Sequence, residues 1–187
     1  MAYWITAYCT KSLSPLTAEH LQGLVQRQDF MTMAEDFLDR TEEYGMAVGD
    51  TVRVEPIEGV EGAFFLYYDP DAPDWWIRFN RRSGTEARDE GLAVAEELDG
   101  IEPRRIREVL SATEDHIAFD LKVRDHTGIG RFICWYLAMD LAERGSGLVC
   151  MDWGEWWDPA DYSRPGGRVT FKLMTRVRFP SPAPTLS

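Results

Sequence analysis

Residues 128–159 read GIGRFICWYLAMDLAERGSGLVCMDWGEWWDP, and this stretch decides the fold. Ile129, Phe132, Ile133, Tyr136, Leu137, Met139 and Leu141 recur at three- and four-residue steps, with Cys134, Trp135, Ala138 and Ala142 between them. A helix apolar all round packs against more than one neighbour. Arg131, Asp140 and Glu143 interrupt it too often for a membrane span. Thr127 is positioned as the N-cap, Arg144 suits the negative end of the dipole, and Gly145 suits a left-handed cap. Leu148-Val149-Cys150-Met151 then reads as a buried strand. Helix, glycine turn and strand together predict the centre of an α/β layer.

Outward from that centre, His116 to Val123 alternates, with Ile117, Phe119, Leu121 and Val123 facing a core and His116 and Asp120 on the other face, which is usually solvent. Strands are also predicted at 3–9, 51–56, 63–68 and 75–80, and helices after Ser14-Pro15, over 30–38, after Ser83-Gly84-Thr85-Glu86 as a capping box, and from Pro103. The polar run 41–50 reads as a loop. These elements predict a single α+β domain over residues 1–171, a mixed sheet with helices on it, at least partly on both faces. A ferredoxin-like core built on strand 115–123, helix 129–144 and strand 148–153 is the topology they suggest.

Residues 172–187 stand apart as a C-terminal tail. Val177 to Pro184, VRFPSPAP, can be back-translated as GTT CGA TTC CCG TCA CCC GCT CCA. That string resembles the T-arm and acceptor end of a transfer-RNA gene, which implies a reading frame running into such a gene and a non-native tail. A native strand is the alternative, since Val169, Phe171, Leu173, Thr175, Val177 and Phe179 alternate.

The chain has 187 residues, a net charge of -12 and 44% hydrophobic residues, as expected of a globular domain. The acidity argues against nucleic acid, whose phosphates need a basic face, and fits either solubility or a basic protein partner. No segment resembles a signal peptide or a membrane span, so no membrane partner is expected. Cys9, Cys134 and Cys150 each lie in apolar runs without CxxC spacing. They read as buried thiols in a reducing, cytoplasmic compartment rather than as a disulfide or zinc framework.

No catalytic motif is evident. His20, His116 and His126 are scattered, and Asp69, Asp71 and Asp74 lack the glycine and the terminal acid of a calcium loop. The residues therefore imply neither a cofactor nor a metal. Seven tryptophans is a high count, and Trp75, Trp76, Trp153, Trp156 and Trp157 lie beside acids. Adjacent tryptophans on a strand face opposite ways. With Asp152, Glu155 and Asp158 they form the candidate binding set, and the stretches 69–76 and 152–158 are expected to converge. Exposed tryptophan beside carboxylate suits capture of a basic protein, as by an inhibitor or immunity protein. It also suits a small carbohydrate-acting enzyme using the 152–158 carboxylates. A structural or regulatory subunit without a small ligand is the third reading.

Overall fold

The computed structural model describes residues 3–98, 102–151, 154–161 and 173–176. Their strands are β1 (Tyr3–Cys9), β2 (Arg53–Pro56), β3 (Ala63–Tyr67), β4 (Trp76–Ser83), β5 (Asp115–Leu121), β6 (Leu148–Met151), β7 (Glu155–Trp157) and β8 (Leu173–Arg176). They form one sheet in the order β2-β3-β4-β5-β1-β6-β7-β8. The helices are α1 (Ala18–Val25), α2 (Phe30–Leu38), α3 (Glu42–Thr51), α4 (Thr85–Glu97), α5 (Arg104–Ser111), α6 (Val123–Thr127) and α7 (Ile129–Arg144). The α+β class expected from the sequence is what the chain forms.

The sheet is antiparallel throughout, where a mixed one was expected. β1 inserts between β5 and β6 and bonds both in antiparallel register, Ile5 opposite Phe119 on one side and Met151 on the other. β5 and β6 therefore run parallel to each other without touching, and α7 carries the chain between them as a split β-α-β unit. A ferredoxin-like core needs a second such unit, which is not found among the described residues. Instead β1 leaves through α1, α2 and α3 to β2 at the far edge, β2-β3-β4 return as a meander, and α4 and α5 connect β4 to its neighbour β5.

Period-two alternation divides the core between the two faces. Ile5, Ala7, Cys9, Ile77, Phe79, Ile117, Phe119 and Leu121 pack under α1, α2 and α7, and Ile133, Leu137 and Leu141 of α7 are fully buried there. Tyr8, Leu148, Cys150 and Trp156 face the other way, against Leu98 and against Ile106, Val109 and Leu110 of α5. The α7–β6 turn is closed by Gly147, where an added Cβ would lie 1.9 Å from the Tyr8 carbonyl oxygen. The left-handed residue in that turn is Ser146 (φ 53°), not Gly145, whose φ is -81°.

Several local readings change. Residues 42–51 form α3 rather than a loop, with the Thr41 side chain accepting from the Tyr44 N–H as N-cap. The expected capping box does not form, because Gly84 occupies the cap of α4 and offers no side chain. Val123 leaves the strand and is exposed in α6. Lys122 opens α6, its N–H bound to the Asp125 carboxylate at 2.7 Å. Of the tail, Leu173–Arg176 pair with β7 as β8. Residues 177–187, with Lys172, lie outside the described residues.

Candidate functional site

The register places rows of side chains across the second face of the sheet. Arg82, His116 and Tyr8 are cross-strand neighbours in one row. Asn80, Ala118, Thr6 and Cys150 form the next. Arg78, Asp120 and Trp4 form the third. The middle row is small and its flanking rows are large, so the sheet carries a trough running across its strands. α4 roofs it with Glu90, Val94 and Glu97, spaced at four and three residues and hence on one stripe of the helix. The resulting pocket has a volume of about 360 Å³, at the small end of the ~300–1,000 Å³ usual for ligand sites.

His116 is the unusual group in this lining. It is 8% exposed, its ring centroid lies 5.1 Å from that of Tyr8, and its Nδ1 is buried without a hydrogen-bond partner. Leaving such an atom unpaired costs about 1–3 kcal/mol. Burial, and secondly the Arg82 guanidinium, push its pKa down to about 4, so the ring is neutral at physiological pH. Arg82 itself is ion-paired to Glu90 at the trough mouth. An adjoining hollow lined by Arg82, Glu86, Asp89, Glu90 and Ala93 extends the acidic rim.

The described members of the tryptophan-acid set expected from the sequence are not assembled into one site. β4 and β7 are separated by β5, β1 and β6, so their strands lie about 19 Å apart. Trp75 donates its indole N–H to Asp125 at 2.8 Å, where the Tyr68 hydroxyl also donates at 2.6 Å. Trp76 turns to the opposite face, its ring 4.5 Å from that of Phe65 and under the Lys122 ammonium at 4.6 Å. Its surroundings are thus aromatic and cationic rather than acidic. Trp156 is wholly buried in the second-face core, and Trp157 packs on Trp135 of α7 at 5.3 Å. The alternation expected of the paired tryptophans holds, and it sends most of them into packing. Asp158 pairs with Arg105 and accepts the Ala160 N–H, while Glu155 is half-buried on β7. Asp152 and Trp153 lie outside the described residues.

Sequence reasoning placed His116 on the outward face of its strand and passed over the trough. The signal was present as small residues at alternate positions, Thr6 and Ala118, between large ones. Reading it required the pairing of strands more than a hundred residues apart. Among the described residues no group of three His, Cys, Asp or Glu converges as for a metal ion, and no helix is long and apolar enough to cross a membrane. Comparison with protein families, with curated proteins and with solved structures gives no match to this chain.

Proposed function

We propose that this chain is a binding protein and that its ligand seats in the trough beneath α4. The observation that supports it most is a pocket large enough for a small ligand with the buried His116 ring in its lining. Binding is favoured over catalysis by the direction of the pKa shifts. Burial pushes Cys9 up to about 12 and raises Tyr8, Tyr68 and Cys134, while His116 falls. All of these move away from neutrality, whereas a general acid or base works best with a pKa near the working pH. Three buried thiols support a reducing, cytoplasmic location.

The test is a titration of the labelled full-length chain with a small-molecule library spanning cations, neutral compounds and anions, read by amide chemical shifts. Hits should move Thr6, Val94, His116 and Ala118, and filling the trough by Ala118→Trp, or more mildly by Thr6→Leu, should abolish the response. A library without hits, or hits that survive both plugs, would remove the reading.

Capture of a basic protein, in the manner of an inhibitor or immunity protein, is a second reading, and the acidic rim formed by Glu86, Asp89, Glu90 and Glu97 favours it. It expects a stoichiometric complex whose association slows as salt is added. Glycoside hydrolysis by the 152–158 carboxylates has less support, because Asp158 is engaged by Arg105 and the Trp156 ring has no exposed face for a sugar.

A further inference from the structure

We propose that the trough selects an organic cation carried on a flat apolar body, with the cationic N–H donated to the His116 ring and the charge balanced by Glu97. The proposal rests on the reading that the trough is a binding seat and assigns the chemistry of its occupant.

Three features of the lining converge on it. The walls are Trp4 and Tyr8 over a floor of Thr6, Ala118 and Cys150 with Val94 above, a slot suited to a ring or short hydrocarbon. Aromatic faces of this kind attract cations. The charged groups come next. The trough and its adjoining hollow hold Glu86, Asp89, Glu90 and Glu97 against Arg82, four carboxylates to one guanidinium. Arg82 is already ion-paired with Glu90, which leaves an excess of negative charge at the mouth and opposes an anion. The third feature is His116. A neutral imidazole has one nitrogen that donates and one that accepts. A ligand N–H selects the tautomer whose bare nitrogen faces it, and the His116 ring lines the trough. A protonated His116 would repel the same ligand, and its burial keeps it neutral.

Three probes on one phenethyl body separate charge from the apolar contact: phenethylamine, phenethyl alcohol and hydrocinnamate, titrated calorimetrically into the full chain at neutral pH and low salt. The amine should bind about tenfold or more tighter than the alcohol, and hydrocinnamate should bind most weakly. Glu97→Gln should lower amine affinity by about fivefold and leave the alcohol unchanged, because only the charged probe feels the carboxylate. Amine binding should also move the His116 ring-nitrogen resonances, a response that a purely structural histidine would not give. A glycine-flanked single-arginine peptide tests the source of the cation. Tighter binding than the amine would place the group on a partner protein, and weaker binding would place it on a free small molecule.

Equal binding of amine and alcohol, or preference for hydrocinnamate, would overturn the assignment. If none of these probes binds while other library compounds occupy the trough, the cation fails and the seat stands. If the whole library is silent, the seat itself fails.

Discussion

His116 links the stability of the protein to the chemistry of its pocket. Its folded pKa of about 4 lies below the ordinary 6.5. Above the unfolded value both states are neutral and the group's full contribution to stability is present. As pH falls through 6.5 the unfolded chain takes up a proton that the folded chain refuses, so stability declines until the folded ring titrates near 4. The total is on the order of 3 kcal/mol, of which about 2 kcal/mol should be lost between pH 7 and pH 5. Urea denaturation of the wild type and of His116→Phe at those two pH values checks this. The variant should be less sensitive to acid by about that difference, and an unchanged difference between the proteins would mean that the ring titrates normally. Asp125 is the contrasting case, a buried carboxylate that is satisfied. It accepts from Tyr68, Trp75 and the Lys122 backbone, and so pins the 68–76 connection to α6. Its three donors account for Trp75 as a structural residue. The acid that engages Trp75 is Asp125, fifty positions away in the chain, and not one of the neighbouring aspartates of 69–74.

At the level of elements, the legible ones were those whose own side chains decide their packing. α7 is apolar on every side because it sits against β1, β5 and β6 while also meeting α1 and α2. Ile133 is fully buried within it, and Ile133→Ala should cost about 2–5 kcal/mol in chemical denaturation. A loss below about 0.5 kcal/mol would displace α7 from the core. α3 was illegible for the opposite reason. Gly45 and Gly49 weaken its propensity and blur its apolar period, yet Gly45 is what lets it approach α2, since a Cβ there would come within 2.6 Å of the Met31 Cα. β7 is three residues long, too short for alternation to register. The α4–α5 pair follows the same logic as α2–α3. A Cβ at Gly91 would lie 2.3 Å from the Leu110 carbonyl oxygen. Propensity alone makes Gly91→Ala stabilising by about 1 kcal/mol. The clash is with backbone and should reverse the sign, for a net loss of about 1–3 kcal/mol by urea melting. A more stable variant would show that α4 can lift from α5 without penalty.

At the scale of the whole molecule, the N-terminal strand is central, and its partners come from residues 115–121 and 148–151. Period and composition identified those strands, but their order depends on which pairs meet, and no local pattern carries that information. The trough inherits the same dependence, as its floor is assembled from β4, β5, β1 and β6. Charge, by contrast, is a property of the chain that needs no topology, and the net value is -12. Compaction brings that excess together, and self-repulsion destabilises the folded state. Ion pairs act in the other direction. Arg53–Glu55, Arg88–Glu114 and Arg104–Glu108 are all substantially exposed, so each contributes little and is weakened by salt. Arg81–Asp115 is more enclosed and bonded through two nitrogens, so added ions reach it least. Screening therefore removes more repulsion than attraction. Raising NaCl from about 20 mM to about 0.3 M at neutral pH should stabilise the protein by on the order of 1 kcal/mol, a rise of about 2–4 °C in Tm by circular dichroism. Near the sequence pI of 4.7 the excess is neutralised and the gain should vanish. A Tm that falls with salt at neutral pH would show that the ion pairs outweigh the net charge.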